Sequence, residues 1–88
     1  MKKKIKQAAE KEKKRLKEIF EDLSVLDDAR AREFYDFSKD YYDDGNYFLE
    51  KEDYIRAFEA FIIAWAYLDI GLKLGMFESS LTEHFTVD

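Results

Sequence analysis

The chain has no cysteine and no proline, and only three glycines in its 88 residues. Without cysteine there is no disulfide framework, no thiolate metal site and no cysteine nucleophile. Without proline, and with so little glycine, there are few helix breakers, so nearly the whole chain reads as helical. Long apolar runs are missing as well: the longest, Ala60 to Leu68, falls well short of the roughly 20 residues that cross a bilayer. The lysine-rich start lacks the apolar stretch and small-residue cleavage site of a secretory signal, and a cytoplasmic home is expected. Histidine occurs once, at His84, and Gln7 and Asn46 are the only side-chain amides. That scarcity, together with heavy use of lysine and glutamate, resembles hyperthermophile composition.

What is present argues for a folded protein. Aromatic residues make up 17% of the chain and supply large apolar areas despite 40% charged residues. Residues 1–88 form one domain, of a size that buries only roughly 60–65% of its unfolded surface. Stability then depends on well-paired helices or on association between subunits. The net charge of -5 hides an asymmetry, because Met1 to Asp22 carries most of the lysine and arginine and the remainder is acidic.

The stretch Tyr54 to Gly75 is the core around which the rest packs. Ala57, Phe61, Ala64, Leu68 and Gly71 fall on one face at helical period, small residues alternating with large ones so that a neighbouring helix can approach closely. A second face carries Phe58, Trp65 and Leu72. Arg56, Glu59 and Lys73 mark the solvent side, yet Ile63, Ala66 and Ile70 sit between them. A helix apolar nearly all round is either central in its fold or covered by another molecule.

The expected fold is all-α: an antiparallel three-helix bundle in which helices two and three form a hairpin, followed by a short C-terminal tail. Helix one spans about 3–23, with its apolar stripe thickening only from Leu16, so Met1 to Lys6 should fray. Ser24 reads as the N-cap of helix two, about 27–51, with Asp27 and Asp28 in its first turn; a continuous helix through Ser24 is the competing geometry. Helix two presents Phe34, Ser38, Tyr41, Gly45 and Phe48 on one stripe, with Tyr35, Tyr42 and Leu49 beside it. Asp53 caps helix three, about 53–74, and Gly75 closes it in the left-handed conformation, with Met76 or Phe77 making the accompanying apolar contact. The tail, 76–88, should be weakly ordered, although Ser80 and Glu83 have capping-box spacing that permits one more helical turn.

Gly45, Phe48, Tyr54, Ala57, Phe61 and Ala64 stand at the spacing of the small and aromatic positions of one tetratricopeptide hairpin. No second copy follows, and an ordinary helical hairpin accounts for the same spacing. The run YYDDGNYFLEKEDYIRAFEAFIIAWAYLDIGLKLGMF, Tyr41 to Phe77, resembles a short archaeal family catalogued as domain of unknown function 357. The segments that carry the resemblance are the Tyr-rich helix end, FLEKEDYIRAFEA and AWAYLDIGLKLG. The resemblance implies a small helical protein and no transferable active site. Where that family often has glycine in the turn, this chain has Glu52.

No motif identifies a reaction or a cofactor, and the protein reads as a non-enzyme. Glu33, Asp36, Asp40 and Asp43 make a carboxylate stripe along helix two, with Asp44 alongside. Metal ligation there lacks the Glu-x-x-His pattern of di-iron bundles, and Tyr42 and Lys51 break an EF-hand reading. The stripe reads as a solvated face or as a docking face for a basic partner, helix one included. Asp69 should pair with Lys73 four residues on. His84, Ser79, Ser80 and Thr82 cluster in the tail without the fixed geometry a nucleophilic triad requires. Lys2, Lys3, Lys4 and Lys6 form a basic face that could contact phosphates, although the acidic remainder opposes nucleic acid.

The leading expectation is a protein interaction or assembly module whose exposed surface is Ile63, Ala66 and Ile70, contacting either a protein partner or another copy. The alternative is a nucleic-acid-associated accessory protein using the lysine-rich first helix. The two separate by mutation. Replacing Lys2, Lys3, Lys4 and Lys6 with Ala should abolish binding in a gel-shift assay if phosphates are the target, whereas Ile63→Lys or Ile70→Lys should abolish association with protein.

Overall fold

The structure, a computed structural model, describes residues 2–85. Three helices run up, down and up. The first, α1 (Lys2–Asp22), leads through a two-residue strand β1 (Ser24–Val25) into α2 (Ala29–Glu50). A tight turn then enters α3 (Tyr54–Lys73), which is followed by strand β2 (Phe77–Glu78) and a single 3-10 turn at Thr82–His84. The all-α hairpin bundle expected from the sequence is the fold observed, with boundaries displaced by one or two residues at most helix ends.

Small residues set how α2 and α3 meet. The buried positions of α3 include Ala57, Ala60, Phe61, Ala64, Leu68 and Gly71, the face the periodicity selects. On α2 the buried positions are Ala31, Ser38, Tyr42 and Gly45: three small residues, and one aromatic whose ring lies 5.9 Å from that of Phe61. A Cβ on Gly45 would overlap the ring of Phe61. The Ser38 hydroxyl, fully buried, donates to the Ala64 carbonyl of α3 at 2.8 Å. Burying the Phe61 ring contributes about 2–3 kcal/mol, and the missing side chain at Gly45 lets it lie there. On its other flank α3 receives α1 through Ala9, Leu16 and Ile19. Those two helices are parallel: Lys6 stands 6.0 Å from the Tyr54 ring at the start of α3, and Arg15 stands 4.9 Å from Trp65 further along.

Both helix ends in the hairpin close the same way. The Met76 amide donates to the Gly71 carbonyl at 2.8 Å and the Gly75 amide to the Leu72 carbonyl at 3.1 Å, with Gly75 at φ 78°. At the end of α2 the Asp53 amide reaches the Phe48 carbonyl at 2.9 Å and the Glu52 amide reaches Leu49 at 3.1 Å. Both satisfy carbonyls that would otherwise lack donors, through one left-handed residue. In the second case that residue is Glu52, at φ 60°. Asp53 then caps α3, its carboxylate accepting from the Arg56 amide at 3.3 Å.

Three expectations are corrected. Ser24 is not an N-cap: it is extended in β1, opposite Glu78, with Val25 opposite Phe77, and Asp28 caps α2 by accepting from the amides of Arg30 and Ala31. Pairing with a strand more than fifty residues away holds 24–25 out of the helix, which also removes the continuous rod. Helix one is helical from Lys2, with the Lys6 ammonium 6.0 Å from the Tyr54 ring and Ala9 buried. The tail is packed as far as Phe85. Met76, Phe77 and Phe85 join the core, and the Phe77 ring lies over Gly71 in a space that a Cβ would fill. What was expected of Met1 and of 86–88 lies outside the described residues.

Two substitutions test this account by urea unfolding. Glu52→Gly should raise stability by about 0.5–1 kcal/mol by relieving the left-handed backbone. Gly45→Ala should lower it by about 1–3 kcal/mol by forcing the Phe61 ring aside.

Candidate interaction surface

The packing that buries two sides of α3 leaves a third. Ile63 and Ile70 are 40% and 49% exposed there, Ala66 between them is half-buried, and Leu74 at the end of the helix is 62% exposed. Helical period places these four on one arc. Tyr67 borders the arc and carries an aromatic shelf onto α2. Its ring stacks on Tyr41 at 5.9 Å, lies tilted against Phe37 at 5.6 Å and meets Phe34 edge-on at 5.7 Å. Phe37 is itself 42% exposed, so the apolar surface continues across the hairpin. Sequence periodicity marks Ile63, Ala66 and Ile70 but not this shelf, since joining Phe37 and Tyr41 to Tyr67 requires the relative rotation of the two helices.

Beside Ile63 runs a shallow groove of ≈ 250 Å³, with Tyr41, Phe48 and Ala60 along it and Asp44 and Glu59 as its carboxylates. Arg56 also borders it, 3.6 Å from Asp53 and with its guanidinium 5.9 Å from the Phe48 ring. An apolar floor with acidic edges suits a long side chain with an aliphatic stem and a cationic tip.

The charged faces lie on the two helices flanking α3. Glu33, Asp36, Asp40 and Asp43 are all exposed along α2, with Asp43 3.5 Å from the Lys39 ammonium. Helix one does not dock its lysines on this stripe. It meets α2 through Phe20, edge-on to Tyr35 at 5.8 Å and to Tyr42 at 5.2 Å. Lys2, Lys3, Lys4 and Lys6 are exposed around the first two turns of α1, beside an apolar cleft of ≈ 410 Å³ that Ile5, Tyr54 and Ile55 help to line. Among the described residues no group of three or more histidines and carboxylates is placed to hold a metal ion, and no helix is long and apolar enough to cross a membrane.

The polar residues with catalytic potential are engaged in structure. Asp69, buried, receives the Lys73 ammonium at 3.1 Å. In the tail, the hydroxyls of Ser79 and Ser80 donate to the Asp22 carboxylate at 2.6 and 2.7 Å, and the Ser80 amide donates to it at 2.8 Å. His84 turns instead to Glu18, at 3.0 Å, and its carbonyl accepts from the Trp65 indole at 2.6 Å. Serine hydroxyls and imidazole therefore serve separate partners, the hydroxyls the Asp22 carboxylate and the ring the Glu18 carboxylate. The Ser79 hydroxyl, then the Ser80 hydroxyl and amide, hold the Asp22 carboxyl below the usual carboxylate range.

With this geometry in view, comparison with known proteins gives a consistent result. The family model of proteins of unknown function DUF357 matches residues 3–77. The chain is also similar to the crystal structure of protein AF1782 from Archaeoglobus fulgidus, itself assigned to that family model. The two share 30% identity, with a TM-score of 0.79 over 90% of this chain and 97% of that one. No curated protein matches the chain.

The Asp22 clasp makes a pH prediction. A carboxyl whose folded pKa lies below its unfolded value of 3.8 stabilises the fold above that value, and the contribution is lost as pH falls through the folded pKa. The difference in melting temperature between the wild type and Asp22→Ala should therefore be constant near neutral pH and should shrink below about pH 4. A difference that persists unchanged in acid would show that the carboxylate charge is not what ties the tail to α1.

Proposed function

The chain belongs to the DUF357 family of proteins of unknown function, and from that premise we propose that it is a non-enzymatic module that docks another protein on the outer face of α3. The observation that carries the reading is the exposure of Ile63 and Ile70 on the central helix of the bundle. Isolated exposed isoleucines are ordinary, but these continue through Leu74, Tyr67 and Phe37 into one apolar surface, and such surfaces mark contact sites. The acidic residues around that surface, Asp40, Asp44 and Glu59, favour a basic partner. The engagement of Asp69, Ser79, Ser80 and His84 in structural bonds supports a role without catalysis.

A second reading, contact with nucleic acid through Lys2, Lys3, Lys4 and Lys6, is favoured by the exposure of all four at one end of the molecule. The net charge of -5 and the carboxylate stripe on α2 oppose it.

The test uses immobilised wild-type protein and the double variant Ile63→Lys/Ile70→Lys, each exposed to an extract of the source cells. Circular dichroism should show the same helical fold for both, since the two positions face solvent. Retention of one or more proteins by the wild type, lost in the double variant, is the expected result. Identical retention by the two would overturn the reading. Loss of binding only when the four lysines are replaced, with nucleic acid in the retained fraction, would favour the alternative.

A further inference from the structure

We infer that the partner docked on this face places a lysine or arginine in the groove beside Ile63, its aliphatic stem on the apolar floor and its cationic tip between Asp44 and Glu59. The inference rests on the reading of the α3 face as a docking surface and adds the chemistry of the segment that the face takes.

Both helices of the hairpin build the groove. Tyr41, Asp44 and Phe48 come from α2, and Glu59, Ala60 and Ile63 from α3. Spacings of three and four residues set each trio along one stripe of its helix. Between two carboxylates from different helices the floor is therefore aromatic and aliphatic. Both carboxylates are exposed, and among the described residues neither takes part in an ion pair. A carboxylate on a polar face is simply hydrated, whereas a cation held between these two covers apolar surface and meets charge at once. Lysine and arginine are the side chains that bury a run of methylenes while keeping a charged tip.

Arg56, the groove's own cation, does not fill this role. It lies 3.6 Å from Asp53, with its guanidinium 5.9 Å from the Phe48 ring, and Asp53 belongs to the turn that enters α3. Asp44, Glu59 and Asp53 thus stand against one guanidinium. A second cation is what this corner lacks.

Size and continuity decide between a free ligand and a protein. The groove holds ≈ 250 Å³, below the roughly 300–1,000 Å³ of small-molecule pockets. Ile63 on its edge also begins the exposed arc that runs through Ile70 to Leu74. A soluble polyamine would meet the carboxylates and leave that arc bare. Ala66 lies half-buried between Ile63 and Ile70, so the row dips at its centre, where packing of ridges into grooves seats a side chain of a helix laid along it. From Asp44, Asp40 and Glu33 continue at helical period, both exposed, and offer anions to further cations of the same partner. The occupant that meets all of this is an amphipathic helix with a basic margin.

The experiment is isothermal titration of the purified chain with an amidated peptide of leucine and lysine alone, leucines on one face, about 18 residues long so that it forms a helix. Salt of about 0.15 M screens long-range attraction. The variants are Asp44→Asn/Glu59→Gln and, as a control that removes equal charge elsewhere on α2, Asp36→Asn/Asp43→Asn, each checked for folding by circular dichroism. The wild type should bind, the first pair should weaken binding at least about tenfold, and the control pair by less than about threefold. Arg56→Gln, which removes the competing cation, should bind at least about twofold more tightly. No binding by the wild type overturns the inference, as does equal weakening by the two pairs, which would show general attraction to an acidic chain. The same helix with glutamate for every lysine should not bind, and binding as tight as that of the lysine form overturns the inference. Spermidine bound as tightly as the peptide, through Asp44 and Glu59, would overturn it in favour of a polyamine. Binding lost in Ile63→Ser/Ile70→Ser but unchanged in Asp44→Asn/Glu59→Gln excludes the cation groove and leaves the docking reading standing. Unchanged binding in the isoleucine variant removes the α3 face, and both readings with it.

Discussion

The close approach of α2 to α3 is the constraint on which the rest of the molecule depends. It is made where Gly45 leaves room for the Phe61 ring and where the Ser38 hydroxyl donates a hydrogen bond to the Ala64 carbonyl. The serine is a polar group in a sealed seam, and it is tolerated because its donor is satisfied by the facing backbone. A side chain at Gly45 would push the two helices apart. The seam therefore fixes the hairpin at short range, and the large aromatics of α2 are displaced to its edges. There Tyr42 and Tyr35 receive Phe20 of α1 on one side, and Phe34, Phe37 and Tyr41 gather around Tyr67 on the other.

From that arrangement the open surface follows. In a three-helix bundle each helix has two neighbours, and α3 gives its small-residue side to α2 and its Phe58, Trp65 and Leu72 side to α1 and the tail. The remaining arc has no helix left to cover it. In most bundles that arc is charged, whereas here it holds Ile63, Ala66, Ile70 and Leu74 among only a few charges. The aromatic shelf displaced by the seam extends the same surface. Fold and candidate function are linked in this way: the tighter the α2–α3 seam, the more apolar and aromatic area is moved to the one side left open.

Legibility in the sequence divides along physical lines. The buried face of α3, the cap at Asp53, the left-handed close at Gly75 and the exposed position of Ile63 and Ile70 were all readable, because each depends on spacing within one helix or on the chemistry of one turn. Helix two was read less well. Of its stripe of Phe34, Ser38, Tyr41, Gly45 and Phe48, only the small members Ser38 and Gly45 are fully inside, since a close contact admits small residues there, while Tyr42 from beside the stripe is buried and Phe34, Tyr41 and Phe48 are half-buried. The start of α2 and the tail were misread for a different reason. Ser24 and Phe77 lie far apart in the chain, and a two-residue strand pair carries no periodic signal. Asp22 with Ser79 and Ser80, and Trp65 with the His84 carbonyl, are likewise bonds between distant segments, formed only after the helices have packed.

By itself, then, the sequence determined the number and type of helices, the order in which they run, the face of α3 that is buried and the family the chain resembles. These follow from local forces: backbone propensity, the 3.6-residue period and the left-handed tolerance of a closing residue. Tertiary structure alone decided that the tail becomes part of the core, that Glu52 accepts a left-handed backbone, and that Phe37 and Tyr41 join Tyr67 beside Ile63 and Ile70. It also decided that the basic and acidic helices stand on opposite flanks of α3. Each of these depends on the relative rotation and level of two elements, and that is settled by how side chains from distant parts of the chain fill the space between them.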